Sequence, residues 1–127
     1  MPVHIAWDDS AETMLLMDVI APWTWDEYLN AASKGRDMAS EKLYTVHLIV
    51  DFTLVGTLPR GYLLGFQRAA QYIPPNGGMI LMIGVKGILK KVGNVMGVLL
   101  PQHLWRVRHL NSLDEARQKI AEYRSRP

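Results

Sequence analysis

Carboxylates are the side chains of this sequence that come closest to a catalytic arrangement. Asp51 ends the apolar run 46–50, and open α/β sheets bind ligands at the carboxyl ends of their strands. Asp51 could act there as a general base or as a wall that repels anions, and the adjacent Asp8 and Asp9 could join it in a Mg²⁺ site. Adjacent aspartates are more often found in an Asx turn, however, and a carboxylate at a strand end more often caps the next turn. We therefore predict no catalytic or metal-binding role for these residues.

The histidines are too dispersed to predict a metal site. They are His4, His47, His103 and His109, whereas paired His ligands on a helix need close helical spacing. His47 lies within an apolar run, where a hydrogen-bonded core imidazole is the usual role. The sequence also lacks a nucleophile elbow, a Walker loop, a dinucleotide-binding motif and any cysteine. We predict that the protein is not an enzyme and has neither a metal nor a cofactor.

The segment 86–100 predicts an amphipathic helix with an unusually wide apolar face. At about 100° per residue its apolar side chains cover an arc of roughly 140°, whereas a surface helix needs only about 100°. Leu89, Met96 and Leu100 supply the extra width. The opposite side carries the polar residues Lys86, Lys90, Lys91 and Asn94.

Four interpretations of this helix remain open. It could line a small apolar cavity and move to admit a ligand. It could dock a protein partner or a second copy, or press on an anionic membrane surface as basic amphipathic helices do. It could also be an ordinary core helix, in which Gly87, Gly93 and Gly97 allow a close approach to the sheet. A similar choice applies to Trp23, Trp25 and Tyr28, which could form a binding surface but more commonly pack around a helix start.

The size of the chain predicts one domain. It has 127 residues, of which 49% are hydrophobic and 20% charged, so the domain 1–127 can bury a core, expected over about 3–123, without disulfides. No apolar run approaches the roughly 18–20 residues of a membrane span. The first residues lack the layout of a signal peptide, and we expect a cytoplasmic protein.

Charge is distributed unevenly along the chain. Residues 1–51 hold nine carboxylates and three bases, while residues 52–127 hold three carboxylates and eleven bases. If this asymmetry survives folding, one side of the sheet order is negative and the other positive, and two copies could meet by complementary charge. If the two halves intermingle, the asymmetry carries no such meaning.

Hydrophobic periodicity predicts five strands and four helices. Strands are expected over 3–7, 13–20, 46–52, 79–83 and 104–110, and helices over 25–40, 59–73, 86–100 and 113–123. Capping boxes at Thr24–Glu27 and Ser112–Glu115 predict two of the helix starts. The order strand, strand, helix, then alternating strand and helix, predicts an α/β fold with a mixed, mostly parallel five-stranded sheet.

This succession, with its motifs, resembles the STAS domain, and more narrowly the SpoIIAA-like group of small bacterial proteins. The resemblance rests on the segments 7–9, 22–27, 48–52, 58–59, 74–76 and 113–116. It implies a regulated binding protein like the anti-sigma-factor antagonists, with a Ser or Thr phosphorylated at the start of the helix after the Asp-ended strand. Gly61 matches the glycine that follows that phosphosite, but Pro59 and Arg60 occupy the positions before it, so Thr57 is the nearest hydroxyl.

We therefore predict a non-catalytic regulatory or protein-interaction module. The residues expected to contact a protein partner or a second copy in a homodimer are Asp51, Thr57, Arg60, Tyr62, Leu89, Met96 and Leu100. Thr57 is the possible phosphosite, and no nucleic acid is expected to bind. The alternative is a carrier or sensor of a small apolar, lipid-like ligand held in a pocket under the 86–100 helix.

Overall fold

The computed structural model describes residues 2–84, 86–99 and 106–125. Five strands form one sheet whose order follows the chain, and only the first pair is antiparallel. The strands are β1 Val3–Trp7, β2 Met14–Val19, β3 Val46–Asp51, β4 Gly77–Ile83 and β5 Val107–Leu110. The helices are α1 Trp25–Ser40, α2 Tyr62–Ala70, α3 Lys86–Leu99 and α4 Leu113–Ser125. The predicted α/β class, with a mixed five-stranded sheet and four helices, is confirmed.

The helices are divided unequally between the two faces of the sheet. Right-handed crossovers that advance in one direction place their helices on one face, and α1, α2 and α3 each contribute to the larger hydrophobic cluster there, through side chains such as Tyr28, Phe66 and Val92. Helix α4 covers the other face, where Ala116 and Ile120 pack in a second cluster. The three crossover helices α1, α2 and α3 therefore all lie on the same face of the sheet.

Local signals position the first helix as predicted. The Thr24 side chain accepts a hydrogen bond from the Glu27 backbone N–H, and the Glu27 carboxylate accepts one from the Thr24 N–H. This capping box satisfies two backbone donors that the helix leaves free. The second predicted box is formed in part, because the Glu115 N–H donates to the Ser112 hydroxyl while the Glu115 carboxylate accepts from the Asn111 N–H.

The start of α2 differs from the prediction. The helix begins at Tyr62, after Gly61 as N-cap with a φ of 76°, whereas Pro59 was expected in its first turn. Gly61 adopts the left-handed conformation at little cost, which separates Pro59 and Arg60 from the helix. In the sequence, the helical spacing of Leu63 with Phe66, Ala70 and Ile73 predicts that Leu63 lies on the inner face of this helix. It is 54% exposed, so that prediction is wrong.

Several expectations concern residues near the end of the chain. The predicted strand 104–110 is described only as Val107–Leu110, and residues 104 and 105 lie outside the described residues. Leu100, expected at the end of the wide helix, also lies outside them, as do the side chains of Leu89 and Met96. Within the described residues, no helix is long and apolar enough to cross a membrane.

Candidate functional site

The predicted contact residues that the structure describes gather where the parallel strands end, which we call the carboxyl edge. Asp51 is the last residue of β3, and its Oδ1 accepts a hydrogen bond of 2.9 Å from the Thr53 N–H. It therefore caps the turn that follows. Thr57 and Arg60 are exposed in the loop before α2, and Tyr62 is the half-buried first residue of that helix.

Three leucines at the same edge are exposed, although the sequence did not predict them as surface residues. Leu54, in the loop after β3, is 63% exposed, while Leu63 and Leu64, in the first turn of α2, are 54% and 50% exposed. We call these three residues the leucine surface. The Leu54 carbonyl accepts a hydrogen bond from the Ala21 N–H, which brings the partly exposed Ile20 to this edge as well.

Four exposed cations on α2, on α3 and in the loop before α2 have no acidic partner among the described residues. Arg60 precedes α2, Arg68 lies on it, and Lys90 and Lys91 lie on α3; all four are exposed. In the part of the chain that the structure describes, none of the four forms a salt bridge. The segment 52–113 that supplies these helices contains no carboxylate, so any acidic neighbour of these cations must come from another part of the chain.

The acidic first turn of α1 lies directly beside this basic region. The Trp25 indole N–H donates to the Pro59 carbonyl at 3.4 Å, which places Asp26 and Glu27 close to the segment that carries Arg60. Helix α4 is an exception to the separation of charge, because Arg117 forms a bidentate pair with Asp8.

The other carboxylates are used structurally. Asp9 accepts hydrogen bonds from the Thr13 and Met14 N–H groups, four and five residues further along the chain, so it closes a wider loop than the Asx turn that was predicted. Asp18 pairs in register with Asp51 on the neighbouring strand, and the pKa of Asp18 is raised mainly by burial and then by the Asp51 charge. Among the described residues, no group of three or more His, Asp or Glu side chains could hold a metal ion.

The aromatic cluster belongs to the core. Trp23 and Tyr28 are each 6% exposed, and the Trp23 indole N–H donates to the Val55 carbonyl at 2.9 Å. The Trp25 ring lies edge-on to Trp23 and to Phe66, with centroids 4.9 Å away in both cases. His47 is likewise buried, and its Nδ1 accepts a hydrogen bond from the Met79 N–H.

An apolar cavity of about 100 Å³ lies beneath α1 and α2 rather than beneath the 86–100 helix. Its lining comes from strands β1 to β4, from both of these helices and from the connection between α2 and β4; α3 contributes none of the described lining residues. This cavity is therefore not the pocket expected under the 86–100 helix. A separate and more open pocket does lie at α3, lined by Lys90, Gly93 and Asn94 and by the β5 residues His109 and Leu110.

Comparisons of the chain with protein-family models, curated proteins and solved structures find no match.

Proposed function

We propose that the chain is a non-catalytic protein-interaction module that docks through the leucine surface, Leu54, Leu63 and Leu64. The observation that carries the proposal is the exposure of these leucines, each half exposed or more, beside cations that form no salt bridge. Clustered exposed apolar side chains with a polar rim mark interaction sites. The proposal also draws on the resemblance of the sequence to the STAS domain, whose bacterial antagonist members are binding proteins.

The partner we propose is a second copy of this chain. In a two-fold symmetric interface the same patch meets itself, so the leucine surfaces would face each other. The acidic turn at Asp26 would then lie against Arg60 of the other copy, because Asp26 and Arg60 flank the same junction between α1 and the segment before α2. Complementary charge of this kind favours correct association.

An anionic membrane fits this surface less well than a protein does. Asp26 and Glu27 lie in the first turn of α1, and Asp18 and Asp51 lie near the same edge. These carboxylates would be repelled by anionic headgroups, whereas a second copy could offer Arg60 to Asp26.

The regulatory role of Thr57 is part of the proposal. A phosphate there would add about two negative charges close to Arg60 and alter the contact.

Sedimentation velocity over a range of protein concentrations tests the proposal. Leu63→Glu should convert dimer to monomer. Burial of one leucine contributes about 1.5–3 kcal/mol, and the change occurs twice in a symmetric dimer, so the dissociation constant should rise at least about a hundredfold.

Leu43→Glu is the matched control, because Leu43 is fully exposed in the loop between α1 and β3. It should sediment like the unmodified protein. A protein that is monomeric at all concentrations, or a Leu63→Glu variant that dimerises normally, would refute the second copy as partner.

The predicted contacts on α3 are tested in the same way. Leu89→Glu and Met96→Glu should each weaken the dimer if the interface extends from α2 onto α3. Unchanged sedimentation in both variants would confine the interface to the leucine surface.

For Thr57, mass spectrometry of protein purified from its native host should show phosphate, and its absence at Thr57 would remove the switch from the proposal.

A further inference from the structure

We propose that the cavity beneath α1 and α2 binds a short aliphatic carboxylate, with the hydrocarbon tail inside and the carboxylate on Arg36. This site is separate from the leucine surface and does not depend on it. The cavity exists because small residues face the sheet from both helices. They are Ala32 and Ala39 on α1 and Ala69 and Ala70 on α2. Gly35 also lines the cavity, but the Ile5 side chain fills the space that a Cβ would take there.

The walls of the cavity suit a hydrocarbon tail. Side chains of four strands form its floor, among them Ile5, Met17, Val50, Ile80 and Met82. An apolar cavity of this kind attracts apolar guests, because water finds few hydrogen-bond partners along its walls.

Tyr28 gives the cavity a polar group without a protein partner. Its side chain lines the cavity and is 6% exposed, and burial raises the pKa of its hydroxyl. The hydroxyl forms no hydrogen bond to any of the described residues. The hydroxyl oxygen is not among the buried atoms that lack a partner, so solvent reaches it, and it can also donate to or accept from a ligand atom.

Arg36 supplies a cation with spare donors at the lining. One guanidinium nitrogen donates to the Gln71 carbonyl at 2.7 Å, and among the described residues Arg36 has no salt bridge. A guanidinium has five N–H donors in a planar fork that matches a carboxylate. The remaining donors can therefore hold an anionic headgroup while its tail enters the apolar space.

The volume limits the length of the tail. A cavity of about 150 Å³ holds benzene, which has six carbon atoms. In proportion, the cavity of about 100 Å³ in this protein holds about four carbon atoms. With the carboxylate carbon outside at Arg36, the best fit is a straight or branched acid of five or six carbons. A long-chain fatty acid would need the helices to move apart.

Calorimetric titration of hexanoate into the full chain tests this site. We expect saturable binding by the unmodified protein and weaker binding of hexanol, which has the tail without the charge. Arg36→Gln should weaken hexanoate binding about tenfold or more and leave hexanol binding unchanged. Lys34→Gln, also on α1 but away from the cavity lining, is the control and should bind hexanoate normally.

Filling the cavity should abolish binding without loss of the fold. Ala32→Leu adds three carbons to the α1 side and Ala69→Leu adds three to the α2 side, so the site remains testable if one of the variants fails to fold. Circular dichroism and the melting temperature identify the folded variants. No saturable hexanoate binding by the unmodified protein, normal binding by a folded filled variant, or equal binding of hexanol and hexanoate would overturn the proposal.

Discussion

The pair Arg117 and Asp8 should make a measurable contribution to stability, because it ties the last helix to the first turn of the chain. The Arg117 Nε donates to Asp8 Oδ2 at 2.8 Å and its NH2 donates to Oδ1 at 2.7 Å. The Asp8 side chain is 5% exposed and that of Arg117 43% exposed. Asp8→Asn removes the charge and one acceptor but retains the shape.

The size of the effect follows from the half-exposed guanidinium. Breaking a buried pair costs about 3–5 kcal/mol, while exposed pairs contribute about 0.2–1 kcal/mol. Because solvent screens one partner here, we expect Asp8→Asn to lower the free energy of unfolding by about 1.5 kcal/mol, or the melting temperature by about 6 °C.

Urea denaturation followed by circular dichroism measures this loss. Asp114→Asn is the matched control, since Asp114 lies 3.8 Å from the same guanidinium and its side chain is 97% exposed. It should change stability by less than about 0.5 kcal/mol. Equal effects of the two substitutions, or no effect of Asp8→Asn, would show that the bidentate geometry does not stabilise the fold.

Two further predictions concern a strand carboxylate and two glycines. Asp18→Asn should raise the melting temperature at pH 7, because burial and Asp51 raise the pKa of the Asp18 carboxyl in the folded state. This gain should vanish as the pH falls below 3.8, the ordinary pKa of an aspartate, and calorimetry at pH 7 and below pH 3.8 checks this. Gly65→Ala should destabilise the fold, because a Cβ there would meet the Trp25 ring. Gly87→Ala has open space around it and should stabilise α3 by up to about 1 kcal/mol. The melting temperatures of the two variants should therefore shift in opposite directions.

Features set by neighbours in the sequence were predictable. The Thr24–Glu27 capping box places the start of α1 because both of its hydrogen bonds join residues three positions apart. Asp51 caps its own turn for the same local reason. The α/β class followed from the succession of apolar periods.

Features that depend on distant packing were not predictable. The start of α2 depends on the left-handed Gly61, which periodicity does not reveal. Leu63 therefore lies in the exposed first turn of the helix, whereas the prediction placed it a full turn inside. The cavity beneath α1 and α2 depends on packing that brings Ala32 of α1 and Ala69 of α2 to line the same space. In sequence these are ordinary helix residues, 37 positions apart.

A charge-exchange mixing experiment tests the proposed dimer most directly. Asp26→Lys alone and Arg60→Glu alone should each be monomeric in sedimentation, because both cross-copy contacts then join like charges. A one-to-one mixture should restore the dimer, since Lys at position 26 then faces Glu at position 60 and the unmodified Arg60 faces the unmodified Asp26. If the mixture remains monomeric, or if either variant dimerises by itself, the proposed interface is contradicted.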